Sequence, residues 1–199
     1  MSNSTKRRPP LGARVYQLKV SLRSSKPPIW RRLLIKDNTS LHRLHLIIQD
    51  AMGWQNSHLY HFDTGEVRYT EYFDDGFVDD DEVSASATRF GDLKLRKGDR
   101  IGYLYDFGDN WLHEIQVEAV SPVDRGSKYP RCIGGRRACP PEDCGGIYGY
   151  DRMLSVLRAK TDPERQEYLE WLGGAWDADA FSVEATDDFI AQSHGGKAP

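Results

Sequence analysis

Residues 100–120 read RIGYLYDFGDNWLHEIQVEAV, two runs of alternating apolar and polar side chains joined by turn-forming residues. A period of two places successive side chains on opposite faces of a pleated strand, so the stretch predicts a half-buried β-hairpin. One hairpin cannot bury enough surface to be stable alone, and the chain must supply further strands. Tyr16, Leu18, Val20 and Leu22 alternate with Gln17, Lys19 and Ser21 in the same way, and IWRRLLI resumes the pattern after Pro27-Pro28. SHLYHFD and EVRYTEYF add two more strands around a turn at Thr64-Gly65.

Helical spacing occurs elsewhere. DNTS offers capping side chains ahead of Leu41, Leu44, Ile48 and Ala51, and Gly53 ends that helix. YDRMLSVLRAK predicts a second helix, and Asp162-Pro163 opens a third, ERQEYLEWL, closed by Gly173-Gly174. A last one falls near residues 184–192. Strands early and helices late predict an α+β fold: a mainly antiparallel sheet with helices packed on it and a helical C-terminal part. One domain is expected over residues 13–192, with disordered tails at 1–12 and 193–199.

Of 199 residues 39% are apolar and five are tryptophan, enough for an ordinary core. No apolar run approaches the roughly 18 residues of a membrane span, and no apolar signal segment follows the basic start, so a cytoplasmic protein without a membrane partner is expected. Three cysteines, an odd number, argue against a disulfide framework. The net charge is only −3, but residues 1–50 hold eleven Lys or Arg against two acids. Arg14, Lys19, Arg23, Arg31 and Arg32 on the first strands would form a DNA-binding face, or else a solvated side of the sheet. The acidic run DDGFVDDDE lacks calcium-loop spacing and predicts a solvated loop.

Chemistry concentrates at the hairpin and the stretch after it. A four-residue FGDN loop, or a two-residue one, sets Asp106 opposite Trp111 and Leu104 opposite His113. Asp106 and His113 then share one face as diagonal neighbours, about 7–8 Å apart at the backbone. With Asp109 leaning in, that is a unit for metal binding or general-base catalysis. The alternative is that both aspartates close the turn by accepting backbone hydrogen bonds. His58 and His61 would face opposite sides of a strand, and His42 and His45 would share an outer helix face.

Cys132, Cys139 and Cys144 are separated by six and four residues, unlike the two-residue knuckle of most structural zinc sites. With His113 or His61 as fourth ligand they form a candidate zinc site. Free thiols, a pair able to oxidise, or a catalytic cysteine are the other readings. No GK[ST] supports a phosphate loop. Pro141 would open a single helical turn, with Gly145 closing it.

Taken together, YQLKVSLRSSKPPIWRRLLI, DAMGW, HLYHF, YLYDFGDNWLHEI, RACPPEDCGG and YLEWLGG resemble the plasmid pRiA4b ORF-3-like family over roughly residues 14–190. The resemblance implies a compact α+β domain. Members are often labelled TnpR-like or resolvase-like and are linked to plasmids and mobile elements. Recombinase chemistry does not follow from the residues: no histidine has arginine three places on, and Ser21 leads into Pro27-Pro28 rather than a helix.

The leading expectation is a non-enzymatic accessory or ligand-binding domain with a polar pocket at the hairpin and cysteine loop. The rivals are a metal-dependent hydrolase using Asp106, Asp109 and His113, and a DNA-binding accessory protein using the basic strands.

Overall fold

The structure, a computed structural model, describes residues 12–71 and 82–195. The expected acidic loop lies outside the described residues except for Glu82. Eight strands are found among them: β1 (Arg14–Leu22), β2 (Trp30–Lys36), β3 (Tyr60–Asp63), β4 (Arg68–Thr70), β5 (Glu82–Ser84), β6 (Arg100–Tyr105), β7 (Trp111–Pro122) and β8 (Arg131–Arg136). They form one sheet in the order β5-β4-β3-β6-β7-β1-β2-β8. Every pairing is antiparallel except that of β4 with β5. The helices are α1 (Leu41–Met52), α2 (Gly146–Arg158), α3 (Arg165–Trp171) and α4 (Val183–His194). The architecture is α+β.

The alternation in β1 does what its period requires. Tyr16, Leu18, Val20 and Leu22 are buried, and the residues between them are only half-buried. α1 lies on this inner side with Leu41, Leu44, Ile47 and Ile48 fully buried. Its N-cap is Ser40, whose side chain accepts from Arg43 N at 3.1 Å, and the chain leaves it through left-handed Gly53. α4 packs on β8 and α1, and α2 packs on α3.

Four features depart from the expectations. The loop of the β6–β7 hairpin has five residues, Asp106–Asn110, and pairs Tyr105 with Trp111 and Tyr103 with His113. Left-handed backbone at Asp106 and Asn110, and a 2.7 Å bond from Asn110 N to Asp106 O, hold this longer loop. A slip of one residue exchanges faces. Tyr103, Tyr105, Trp111 and His113 therefore point into the core, and Asp106 is off the ribbon.

The start of the cysteine stretch, RCIGGR, is strand β8, paired with β2 across a bulge at Arg32/Leu33. Its glycines hide it from propensity. Pro141 opens no helical turn; the chain turns at Glu142 and Asp143, and α2 starts at Gly146, ahead of the expected Tyr150. Finally, β5 and a 3-10 turn at Phe90–Leu93 were not anticipated, although Phe90 is fully buried and meets the Tyr16 ring edge-on at 5.0 Å.

Candidate metal centre

The hairpin tip builds one side of the site. Asp106 takes φ 58°, which aspartate tolerates better than most residues but still at a cost of about 1 kcal/mol. Three bonds hold it: its N–H donates to Leu59 O at 2.9 Å, its carbonyl accepts from Asn110 N, and its Oδ1 accepts from Gly108 N at 2.8 Å. The turn-closing reading is thus correct for Asp106. Its remaining oxygen, Oδ2, points at His58, just ahead of β3.

The cysteine loop builds the other side. Asp143, again left-handed at φ 58°, lies in a turn docked onto the sheet by its neighbours. Glu142 accepts a short hydrogen bond from the Tyr105 hydroxyl and another from Gln55 N at 2.9 Å, while the Trp54 indole donates to Pro140 O at 2.9 Å. Asp109 Oδ2 accepts from Gly145 N at 3.3 Å, tying the hairpin tip to the same loop. Gly146 makes the approach possible, because a Cβ there would come within 2.3 Å of Asp109 O.

Between these walls His58 Nε2 lies 3.3 Å from Asp143 Oδ1 and 3.6 Å from Asp106 Oδ2. The three ligand atoms fall within 4.8 Å of one another. Nε2 is shielded from solvent yet forms a hydrogen bond with neither carboxylate. Ligands about 2.1 Å from one tetrahedral ion stand about 3.4 Å apart, so the spacing suits a shared cation. The Asp106 side chain is 9% exposed and that of Asp143 73% exposed, which leaves the cluster open on one side.

The expected pairing of Asp106 with His113 is not formed. His113 is fully buried, edge-on to Trp54 with ring centroids 5.3 Å apart, and its ring nitrogens face the backbone of Trp111 and Tyr103 without forming a well-aligned hydrogen bond. Burial lowers its pKa to about 4, so the imidazole is neutral. His45, expected on an outer face, is buried too. It bonds the Tyr103 hydroxyl at 2.7 Å and Asn56 Oδ1 at 2.6 Å, and burial takes its pKa down to about 3. Its neighbour His42 keeps the expected outward position, half-exposed beside Glu71.

Nor do the three thiols form one ligand set with His113. Among the described residues, the groups of three or more His, Cys, Asp and Glu ligand atoms within reach of one ion comprise His58, Asp106 and Asp143 alone. Cys132 faces Gly134 O at 3.6 Å, and Cys144 faces Gly146 O at 3.9 Å. Burial raises the Cys132 pKa and pushes Cys139 and Cys144 to about 12, which keeps all three as neutral thiols. His61 turns instead to the Phe107 ring, 5.6 Å away.

The basic strands are largely neutralised within the fold. Arg14 pairs with Asp37, Arg23 with Glu114 and Arg32 with Glu118. Lys19 lies over the Trp30 ring, and Arg31 is buried. Ser21 is an ordinary strand residue of β1 opposite Trp30. No described helix is long and apolar enough to cross a membrane.

Two residues of the cluster have no site signal in the sequence: His58 reads only as a neighbour of His61 on a strand, and Asp143 only as part of a turn. Nothing local marks either, because the site is assembled by β6–β7 pairing and by loop docking. Cavities of about 920 and 430 Å³ adjoin the centre, the larger lined by Asp143 and the smaller by His58.

A mainly antiparallel sheet with helices packed on it, and a partly open His-Asp-Asp cluster where two loops meet, define an α+β domain with a candidate metal site at its surface. The chain belongs to the plasmid pRiA4b ORF-3-like protein family, matching it over residues 14–185. It is 37% identical over 189 residues to the uncharacterized protein y4hQ of Sinorhizobium fredii (strain NBRC 101917 / NGR234), covering 90% of this chain and 94% of that one. It also resembles the crystal structure of the protein of unknown function MM3350 from Methanosarcina mazei Go1. The TM-score is 0.77 at 34% identity, over 86% of this chain and 96% of that one.

Proposed function

We propose that this chain is a ligand-binding domain that holds a divalent transition metal through His58, Asp106 and Asp143. The observation that carries the reading is the His58 Nε2 atom, shielded from water between two carboxylates with no hydrogen bond to either. One imidazole and two carboxylates suit zinc, cobalt or manganese better than magnesium, which prefers oxygen ligands and water. Asp109 and Glu142 act here as positioning residues that hold the cysteine loop against the hairpin. The nucleic-acid reading loses support, because the arginines it relied on are paired or buried.

Calorimetry with Zn²⁺ and Co²⁺ on untagged protein tests the proposal. One ion per chain is expected, with the visible absorption of low-symmetry Co²⁺. His58→Ala should abolish the spectrum, whereas replacing all three cysteines by serine should leave it. Sub-stoichiometric binding of both ions, or a spectrum that survives His58→Ala, would overturn the assignment.

A hydrolase is the second reading, and the open side of the cluster favours it: three protein ligands leave room for a water that the metal would activate. A hydrolase screen on Zn²⁺- and Mn²⁺-loaded wild type and Asp106→Asn addresses it. Equal rates would remove it.

A further inference from the structure

The 920 Å³ cavity is bounded by the end of α1, the cysteine loop and the segment running from Trp171 into α4. Arg31, on its wall, is only 2% exposed. Its Nε donates to Ala51 O at 2.7 Å, and its Nη1 donates to Trp30 O and Arg136 O at 2.9 and 3.1 Å. The Phe181 ring covers the guanidinium at 4.0 Å. That ring reaches its place because residue 135 is glycine; a Cβ there would meet it at 2.4 Å.

None of these partners carries a full negative charge. Among the described residues no carboxylate forms an ion pair with Arg31, while Arg14, Arg32, Arg131 and Arg137 each have one. Arginine does not shed its proton, so a buried guanidinium facing only carbonyls and a ring is an incomplete arrangement. Its Nη2 donates no hydrogen bond within the described fold. The N-terminus of α4 also opens on the cavity through Ser182, Ala185 and Thr186, adding the positive end of a 12-residue helix. Trp54, Trp171 and Trp176 line the cavity and give it aromatic surface.

We propose that this cavity binds an organic carboxylate with an aromatic body, its acid group on the Nη2 of Arg31 and its ring against the tryptophans. A carboxylate can accept from the Nη2 N–H groups that the carbonyls leave over, and brings a single charge. A phosphate dianion fits less well, because Asp50, Glu142 and Asp143 also line the cavity. The first two are engaged: Asp50 bonds His194 at 2.8 Å, and Glu142 bonds Tyr105 and Gln55. Of the three proposed metal ligands only Asp143 lines this cavity, and the acid group is placed on Arg31, so the two assignments stand or fall separately.

The lining tryptophans make the test direct. Their fluorescence is titrated in the presence of chelator with naphthalene-2-carboxylate, its neutral carboxamide and naphthyl phosphate. Saturable quenching by the carboxylate is expected, at least about tenfold tighter than by the carboxamide. Arg31→Gln should erase that preference. Should Arg31→Gln fail to fold, Thr186→Glu decides, since it places a negative charge in the cavity wall without touching Arg31 and should also erase the preference. Equal affinity for acid and amide, absence of saturable quenching, tighter binding of the phosphate, or a preference that survives Thr186→Glu would each overturn the proposal.

Discussion

His58 and His113 belong to one aromatic cluster and have opposite surroundings. His58 meets the Tyr105 ring edge-on at 5.8 Å and looks out between two carboxylates. His113 lies deeper, against Tyr103 and Trp54, with no acid beside it. Both are imidazoles on or next to the same sheet, yet burial opposes the charged form of His113, whereas His58 stands within 3.6 Å of two carboxylates. The lesson is that an imidazole becomes a candidate ligand through what the loops bring to it, not through its place in a hairpin.

The largest expected effect comes from acid. Native pKa values of about 4 for His113 and about 3 for His45, against 6.5 unfolded, mean that the unfolded chain takes up these protons first. Their contribution is full above pH 6.5 and falls as the pH drops toward the native values. At pH 5 the loss is about 2 kcal/mol for each histidine. Urea titrations at pH 7 and pH 5 measure it, and His113→Leu should recover roughly half. An unchanged pH dependence in His113→Leu would break the contrast between the two imidazoles.

Next in size is metal affinity. Asp106→Asn should weaken Zn²⁺ binding by about a hundredfold, or about 2.7 kcal/mol, as read by calorimetry. His113→Leu should leave it within a factor of about two. Comparable losses in both variants would merge the regions that the structure separates.

Tyr103→Phe removes the hydroxyl that serves His45 Nδ1 and Gln49 Nε2, and should cost about 1–3 kcal/mol in thermal unfolding with metal affinity unchanged. The smallest effect is expected at pH 7 from His113→Leu, a replacement of similar size that removes two buried ring nitrogens with at most weak contacts to the Trp111 and Tyr103 backbone. Stability should change by less than about 1 kcal/mol, in the stabilising direction.

Sequence periodicity located the elements that repeat themselves. β1 and β2 appear through alternating side chains, and α1 through Ser40 and Gly53 at its ends. RCIGGR did not register as strand β8, because its identity as a strand comes from pairing with β2 rather than from its own residues. The site was half legible. Asp106 carries a turn-forming signal, but the direction of its free oxygen depends on a five-residue loop that pattern alone did not distinguish from a shorter one. His58 and Asp143 meet it only after two loops dock, and no spacing along the chain encodes that meeting.

The contact of Gly146 with Asp109 O sets a tolerance for the whole centre. Residue 146 touches none of the three candidate ligands, yet it is the spacer that fixes the gap between the piece of chain bearing Asp106 and the piece bearing Asp143. A single methyl group there would act as a wedge, forcing the two carboxylates apart while every ligand remained chemically intact. At the proposed metal centre, capacity to hold an ion would therefore be a property of the width of a seam as much as of the groups that line it.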